Sequence, residues 1–294
     1  MSWRKQGTGI GIAVALTSSL ALGGGSAALA QGTGEVASPE AAALDALSLL
    51  RGDGTHDSTE ESNSYVDSVE GLVVPTGDGG EPLRVAPAQA GSPALDPSGL
   101  LLYEQSTSFS YAFSDAALGR TAGYSIMFDA TAPSEFRYAI RIGDTDASLE
   151  LAEDDSVHVL GPDGTMANIV LPPWAVDANG HSVPTSYSVE GNVLVQHVNH
   201  AGAAYPVVAD PSFGCDALWC TVLLNKSENS DVADNALNAG ILCSFTGAFV
   251  PICAAMIGLV WAKANEARSY GKCAGIRWWR INGAFMHPVI EHCP

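Results

Sequence analysis

Residues 136–142 read Phe-Arg-Tyr-Ala-Ile-Arg-Ile, and this short stretch decides the fold class. Its large apolar side chains stand at every second position, and arginine or alanine stands between them. Because successive side chains of a β-strand point to opposite faces, the alternation predicts a strand with one face in a core and the other in water.

The same period of two recurs on both sides of this stretch. Further alternating apolar residues are Tyr124, Ile126 and Phe128, Leu149 and Leu151, Val157 and Val159, Tyr187 and Val189, and Val193 and Val195. Turn-forming sequences separate the runs at residues 143–144, 161–164, 177–180 and 190–192. Short strands at this spacing, with no helical segment long enough for a crossover, predict an antiparallel sandwich or barrel. We expect a β-sandwich over residues 99–211.

The first 30 residues have the layout of a cleavable signal peptide. Arg4 and Lys5 precede an uncharged segment, and Ala28-Leu29-Ala30 offers small residues to signal peptidase. An uncleaved membrane anchor is the alternative. However, the apolar core from Ile10 to Leu22 is shorter than the about 20 residues that span a bilayer. We therefore expect export and cleavage after Ala30.

Residues 31–98 are rich in Gly, Ser, Pro, Asp and Glu. Such a segment buries too little apolar surface to offset the entropy of ordering, so we predict a mostly disordered acidic linker. Two elements are expected within it. A helix from Pro39 to Leu50 has Ser38 as its cap and Gly52 after its end, and a strand is expected from Gly71 to Pro75.

The negative charge lies in the first two thirds of the chain. The net charge is −19, and residues 31–214 hold 26 acidic against 5 basic side chains, whereas residues 215–294 hold six of each. Phosphate backbones demand clustered Lys and Arg, so we expect no nucleic-acid partner. The acidity is typical of a well-solvated extracellular protein.

All six cysteines follow residue 214 and predict a disulfide framework in a domain of residues 212–294. Zinc is the alternative, but Cys215 and Cys220 are the only close pair, so we expect no metal and no cofactor. Fifteen connectivities are possible for six cysteines. The preferred set is Cys215–Cys220, Cys243–Cys253 and Cys273–Cys293.

The last 80 residues also carry helix signals. Ser230 is predicted to cap a helix that runs to about Phe245, with Asp231 and Asp234 in its first turn, where the helix dipole favours negative charge.

A second helix is predicted to follow the break at Gly247. Pro251 fits an early position of that helix, Arg268 lies near its end, and Gly271 can adopt the left-handed cap. The second predicted disulfide flanks the break, so the segment is predicted to be a disulfide-stapled helical hairpin. A short extended segment tied back by Cys293 is expected to follow it.

An uncharged run from residue 235 to residue 262 raises a transmembrane alternative, because it exceeds the about 20 residues that a span needs. Gly240, Ser244, Gly247 and Pro251 interrupt this run. Two short packed helices therefore explain it better than one continuous span.

Several motifs between residues 105 and 294 resemble those of one protein family. They are Pro173-Trp174-Ala175, Asp177-Ala178-Asn179-Gly180, Val183-Pro184-Thr185, Tyr187, Tyr205-Pro206-Val207-Val208-Ala209-Asp210-Pro211, Asn225-Lys226-Ser227-Glu228 and Gly271-Lys272-Cys273. The chain resembles uncharacterised secreted actinobacterial proteins that have a sandwich-like domain ending in the YPVVADP signature and a helical C-terminal segment. The resemblance implies no activity and no catalytic residues, and the segment here is unusually rich in cysteine.

The stretch Arg277-Trp278-Trp279-Arg280 is the most suggestive candidate for binding. Tryptophan prefers the bilayer boundary and arginine is attracted by anionic headgroups, so this tip is a candidate for contact with an anionic membrane or a cell-wall polymer. The alternative is a hairpin whose tryptophans cover the helices while the arginines pair locally.

Other candidate sites are weaker. His197 and His200 are three apart on a predicted strand, so their side chains are expected on opposite faces rather than on one metal. Asp177 and Asn179 precede Gly180 as in a calcium loop, but the later ligands are missing and turn chemistry accounts for them. No metalloprotease, phosphate-loop or nucleophile-elbow motif occurs.

Two hypotheses of function follow from these observations. The first is a secreted non-enzymatic protein, in which a sandwich carries a cysteine-rich module that contacts membranes, cell wall or another cell surface. The second is an extracellular hydrolase that uses a histidine beside a carboxylate, the candidates being His158, His181, His197 and His200. Convergence of one of these histidines with a carboxylate at a concave pocket would favour the second.

Overall fold

The computed structural model describes residues 43, 45–47, 64–75, 80–97, 99–115, 121–215, 219–244, 246, 250–279, 285–291 and 293. Antiparallel strands dominate, and a helical segment follows in the C-terminal part, which confirms the predicted fold class. The predicted signal peptide of residues 1–30 lies outside the described residues.

The N-terminal part of the described chain is built from strands. These are β1 (Tyr65–Asp67), β2 (Gly71–Val74), β3 (Leu83–Pro87), β4 (Ala94–Leu95), β5 (Leu101–Glu104), β6 (Phe109–Ser114), β7 (Ala122–Met127), β8 (Glu135–Ile142), β9 (Thr145–Asp146), β10 (Ser148–Leu151), β11 (Val157–Leu160), β12 (Met166–Val170), β13 (Trp174–Val176), β14 (Thr185–Glu190), β15 (Val193–Val198) and β16 (Val207–Asp210). One sheet has the order β1-β2-β3-β8-β15-β14, with β9 beside β8. A second has the order β13-β16-β7-β6-β5-β4, and β10-β11-β12 form a third.

The main core lies between the first two sheets, as in a β-sandwich. Phe136 and Tyr138 of β8 are fully buried there. Their rings meet those of β6 edge to face, with centroids 6.0 Å apart for both Tyr111–Phe136 and Phe113–Tyr138, a geometry that aromatic pairs favour. The Tyr138 hydroxyl lies 2.6 Å from the Ser125 hydroxyl, and burial raises its pKa well above the ordinary value. The alternation of residues 136–142 therefore places aromatic side chains inside and arginines outside.

The prediction of a mostly disordered linker over residues 31–98 is wrong for residues 64–75 and 80–97, which contribute β1 to β4. The β3 strand pairs directly with β8, and its Leu83 and Val85 are buried in the main core. The expected strand at residues 71–75 is present as β2. Its first residue, Gly71, adopts φ +84°, and a Cβ there would lie 2.3 Å from the Val85 carbonyl oxygen. In residues 64–75 and 80–97, glycine and acidic residues thus occur in tight turns between short strands.

The helix expected from Pro39 to Leu50 is helical at residues 43 and 45–47, the part that the structure describes. Ala43, Ala46 and Leu47 join a cluster with Tyr124 and Ile126. The helical residues therefore cover the outer face of the second sheet.

The C-terminal module mixes helices with a small sheet. Its elements are β17 (Trp219–Leu223), α1 (Lys226–Asp234), a 3₁₀ helix (Ala236–Gly240), α2 (Ile241–Ser244), α3 (Val250–Ala254), α4 (Ile257–Ser269), β18 (Cys273–Trp279) and β19 (His287–Glu291). The strands form an antiparallel sheet in the order β17-β18-β19. The short extended segment expected after the helices is thus two strands, β18 and β19, which form a sheet together with β17.

The first helix of the module differs from its prediction. It begins at Lys226, because Asn225 and Glu228 form a capping box in which each side chain accepts from the other residue's backbone N–H. It ends at Asp234, where Asn235 starts the 3₁₀ helix. The predicted cap at Ser230 is therefore wrong, since Asn225, five residues earlier, caps the helix, and the predicted end at Phe245 is wrong because the helix ends at Asp234.

The second predicted helix is divided into α3 and α4. Gly271 adopts φ +67° after α4, and the Lys272 N–H donates to the Ala267 carbonyl (2.9 Å), which confirms the predicted left-handed glycine cap.

The cysteines are bonded as Cys215–Cys220, Cys243–Cys253 and Cys273–Cys293, the pairing preferred from the sequence. The second bridge links α2 to α3, and the third ties the chain end to the start of β18. All three bonds lie within the C-terminal module, so they cross-link that part of the fold alone.

The third sheet joins the sandwich to the module. Ile169 of β12 is buried in the same cluster as Ile276 and Trp278 of β18. The fully buried Asn168 donates to the Cys215 carbonyl and accepts from the Cys215 N–H, both at 3.1 Å. The core of the module is therefore completed by a strand that precedes it in sequence.

Candidate functional site

The stretch predicted to bind surfaces, Arg277-Trp278-Trp279-Arg280, lies largely in β18, the middle strand of the C-terminal sheet. Trp278 is fully buried in the module core. Arg277 donates from Nε to the Thr221 hydroxyl (2.8 Å) and from Nη2 to the Glu291 carboxylate (2.9 Å). Trp278 cannot reach a membrane from this position, and Arg277 is engaged within the sheet.

Trp279 is half-buried and packs edge to face against Trp219, with ring centroids 5.2 Å apart. Arg280 lies outside the described residues. Residues 277–279 therefore match the alternative to surface binding: one tryptophan covers the helices, and the arginine bonds to its neighbours.

A different part of the same module presents large apolar side chains to solvent. The exposed fractions are 42% for Val250, 49% for Ile252, 58% for Leu259 and 42% for Trp261. We use the name apolar helical surface for the exposed residues of 250–262, which are Val250, Pro251, Ile252, Ala254, Ala255, Gly258, Leu259, Trp261 and Ala262. The surface belongs to α3, the turn after it and the first half of α4.

The inward side of α4 explains why these side chains point outward. Val260, Ala264 and Ala267 are buried and lie three or four positions apart, so they occupy one face of the helix. Alanine at two of these positions lets α4 approach its neighbours closely. Leu259 lies on the other side, whereas an ordinary amphipathic helix would bury it, and Trp261 is half-exposed with its Nε1 donating to the Ala233 carbonyl of α1 (3.0 Å).

Charged side chains bound the apolar helical surface on its C-terminal side. Lys263 and Glu266 form an ion pair at 2.8 Å, and Arg268 pairs with Asp234 of α1 at 2.8 Å. The second half of α4 is therefore an ordinary solvated face. In the described chain, none of the helices is both long and apolar enough to cross a membrane.

Two of the histidines proposed for a hydrolase have structural roles. His200 is buried, with Nδ1 2.7 Å from the Tyr205 hydroxyl and Nε2 3.2 Å from the Pro133 carbonyl. His181 is exposed and lies 3.6 Å from the Asp177 carboxylate.

Asp177 itself serves the turn in which it lies. Backbone N–H groups donate to its carboxylate, with His181 as the strongest contributor and Ala204 and Asn179 as others, and these bonds lower its pKa. Two of these donors belong to the same turn as Asp177, and the third, Ala204, belongs to the loop after β15. The carboxylate therefore stabilises a turn, as the sequence analysis expected.

His197 is the one proposed histidine that the described chain brings into a polar cluster on an open surface. It lies on β15 and faces away from the main core, 40% exposed. Its Nε2 is 2.8 Å from the Ser188 hydroxyl of β14, and its Nδ1 is 3.6 Å from Glu135 Oε1 of β8. The imidazole is thus flanked by a hydroxyl and a carboxylate from the two neighbouring strands. His197 and His200 have separate partners and do not share a site.

A cleft of about 420 Å³ opens beside His197. Its wall includes Ser134, Pro184, Thr185, Ser186 and Asn199. The cleft is open to solvent, and its lining mixes apolar surface with hydroxyl and amide groups.

An ion pair lies next to the cluster on the same face. The Arg137 guanidinium bonds to the Glu190 carboxylate, which lowers the pKa of Glu190 and raises that of Arg137. Nearby His197 adds a smaller lowering effect on the pKa of Glu190.

Sequence reasoning named His197 but missed Ser188 and Glu135. The turn at Gly191-Asn192 sets the pairing of β14 with β15, so that Ser186 is opposite His197 and Ser188 is opposite Val195. This local register was the available signal for Ser188, because it puts the serine on the same face. Glu135 is opposite His197 through a pairing between distant strands, which no local pattern indicates.

Among the described residues, no group of three or more His, Cys, Asp and Glu side chains converges as a metal site would require. Comparison with known protein families, with curated proteins and with solved structures finds no match for this chain. The candidate surfaces therefore rest on their own geometry.

Proposed function

We propose that this chain is an exported protein whose cysteine-rich module binds lipid bilayers through the apolar helical surface. In this proposal the signal peptide of residues 1–30 directs export and is removed after Ala30, and the acidic sandwich carries the module. Membership of the secreted actinobacterial family that the YPVVADP signature resembles belongs to the same proposal. Binding requires no chemical step.

The exposure of the apolar helical surface is the observation that carries the proposal. Contiguous exposed apolar surface on a folded domain marks an interaction site. Fully burying a Val, Leu or Ile side chain stabilises by about 1.5–3 kcal/mol, so four half-exposed side chains offer on the order of 3–6 kcal/mol when transferred from water. That gain is sufficient for reversible docking.

The charge pattern favours a bilayer as the occupant. No charged residue occurs between residues 235 and 262, whereas protein interfaces are typically rimmed by polar groups and enriched in arginine. Trp261 adds a ring that suits the boundary between headgroups and acyl chains. The neutral balance of residues 215–294 also lowers the repulsion from anionic lipids that the rest of the chain would experience.

The disulfides support a location outside the cytoplasm. All six cysteines are paired, and disulfides persist in oxidising compartments. Intact mass of the secreted protein tests this part of the proposal. We expect a chain that starts at Gln31 and is six hydrogens lighter than its reduced form, and a retained N-terminus would contradict cleavage.

Vesicle flotation of the oxidised, processed chain tests membrane binding. We expect binding to phosphatidylcholine vesicles with and without phosphatidylglycerol. We also expect little change between about 0.1 and 0.5 M salt, because salt screens charge contacts but not apolar ones. The combined substitution Ile252→Ser and Leu259→Ser should reduce vesicle binding at least tenfold.

The matched control alters apolar residues of the sandwich. Val69 and Leu95 are 88% and 56% exposed, so Val69→Ser with Leu95→Ser makes a similar chemical change elsewhere, and we expect unchanged binding. Equal binding by all three proteins would contradict a role for the apolar helical surface. Binding to isolated cell wall without vesicle binding would instead favour the wall polymer that the sequence analysis named.

A further inference from the structure

The cluster around His197 has the order of groups found in serine hydrolases. A serine hydroxyl lies at Nε2 (2.8 Å) and a carboxylate faces Nδ1 (3.6 Å), on opposite sides of one imidazole. In a serine–histidine–acid unit the Nε2 atom takes the serine proton, and the acid holds the ring through Nδ1. Ser188, His197 and Glu135 occupy these three positions.

The Glu135 carboxylate favours the His197 tautomer that a general base requires. With the proton on Nδ1, directed towards Glu135, the Nε2 lone pair is left to accept the Ser188 proton. The 3.6 Å separation is within ion-pair range and beyond a hydrogen bond. Catalytic hydrogen bonds are often long before substrate binds, and the Glu135 side chain is 57% exposed and has room to rotate closer.

The backbone positions the three side chains through adjacent antiparallel strands. Glu135 of β8 is directly opposite His197 of β15, and Ser188 of β14 lies diagonally across from His197. On each strand the adjacent residue is buried: Phe136 beside Glu135, Gln196 beside His197 and Tyr187 beside Ser188. Because successive side chains of a strand alternate, these buried neighbours hold the three side chains on the outer face. The unit therefore rests on rigid sheet rather than on loops.

The cleft beside His197 provides room for a substrate. Its volume of about 420 Å³ falls in the range of small-molecule sites. Ser186 and Asn199 line it beside His197 and carry a hydroxyl and an amide, the groups available to stabilise negative charge on a carbonyl oxygen.

We propose that Ser188, His197 and Glu135 form a catalytic unit that hydrolyses small carboxylic esters. Ser188 Oγ attacks the ester carbonyl carbon while His197 Nε2 takes its proton. The bond from that carbon to the alkoxy oxygen then breaks, and the proton passes to the departing alcohol. Water attacks the acyl-serine with the same histidine as base, which releases the carboxylic acid and restores the serine. Glu135 acts as a positioning residue. This activity is independent of the proposed membrane binding.

Covalent labelling of the oxidised full-length chain tests the proposal. A fluorophosphonate probe should modify Ser188, as located by peptide mass spectrometry, and p-nitrophenyl butyrate should be hydrolysed with a burst. Ser188→Ala should abolish both signals, and His197→Ala should slow labelling about 100-fold, within the range of a general base. Glu135→Gln should slow labelling about 10-fold without changing the labelled residue.

The matched control is Ser227→Ala, because Ser227 is an exposed serine of α1 that lies outside the cleft and the catalytic unit. We expect its labelling rate to stay within about twofold of the parent, a margin much smaller than a general-base effect. The proposal is overturned if the parent chain is not labelled at Ser188, or if His197→Ala is labelled at the parent rate. The Ile252→Ser and Leu259→Ser chain should be labelled normally, so failure of one proposal is distinguishable from failure of the other.

Discussion

The sandwich and the C-terminal module differ in the side chains that form their cores. The sandwich buries large rings such as Phe113, Phe136 and Tyr138 and presents arginine and acidic side chains to water. The module buries alanine and cystine along its helices and leaves Leu259 and Trp261 half-exposed. Apolar burial stabilises both regions, but the module, whose core is centred on Trp278 and Ile276, also has three cross-links and the support of β12. The apolar side chains that the module leaves exposed are available to a partner.

Loss of one aromatic ring should produce the largest effect and separate the two regions. Phe136→Ala removes a fully buried ring that packs against Phe109 and Tyr111, so we expect the unfolding free energy to fall by about 3–5 kcal/mol. Urea denaturation measures this change. Phe285→Ala is the control, because Phe285 is 76% exposed and should cost under about 0.5 kcal/mol. Similar losses of unfolding free energy in both variants would contradict the dependence of the sandwich on its buried rings.

Removal of the middle disulfide should act on the module alone. The bridge closes a short loop between residues ten apart, so Cys243→Ser with Cys253→Ser should destabilise the module by about 3 kcal/mol. Hydrogen exchange should show faster exchange in α1 and α4 and unchanged protection in β8 and β15. Loss of protection throughout the sandwich would show that the two regions unfold as one unit.

The link between the regions should have an intermediate effect. Asn168→Ala leaves the buried N–H and carbonyl of Cys215 without their side-chain partner, and we expect a cost of about 2 kcal/mol. The exposed Asn179→Ala is the matched control and should be nearly neutral. Differential scanning calorimetry should show the Asn168 variant losing the module at a lower temperature than the parent chain. An unchanged melting profile would contradict support by β12.

Acid should weaken the sandwich before the module, and this is the smallest expected effect. Bonds from backbone N–H groups, that of His181 above all, hold the pKa of Asp177 below its unfolded value. The stabilisation is therefore complete above the unfolded pKa, near 4, and is lost as the pH falls towards the folded pKa. The melting temperature of Asp177→Asn should be below that of the parent at pH 6, and the gap should narrow by pH 3. A gap that widens on acidification would contradict this sign.

Local patterns predicted the parts of the fold that local interactions determine. The alternation in residues 136–142 predicted β8, and Gly271 predicted the end of α4. The disulfide between α2 and α3 followed from cysteines that flank a helix break. In each case the residues responsible lie within one element or on either side of one turn.

The failures have a common physical cause in contacts between distant residues. The β3 strand was assigned to a linker because its partner β8 lies about 50 residues later, and composition does not reveal that pairing. The same applies to Glu135, which reaches His197 only through the register of β8 and β15. The burial of Trp278 depended on a three-stranded sheet whose first strand, β17, precedes the helices. Propensity and charge cannot supply such information, since tertiary packing decides it.

The three disulfides follow one another along the chain, and in the proposed export this arrangement would set an order of oxidation. The partners are 5, 10 and 20 residues apart, and no bridge interleaves with another. A chain that emerges N-terminus first can close each bridge before the next pair of thiols appears. The sandwich strands, which end at Asp210, emerge before the first cysteine, so each thiol would meet its partner beside a platform that is already made. If the protein is exported as proposed, formation of the correct bridges should therefore need an oxidant but no isomerase to exchange wrong pairs.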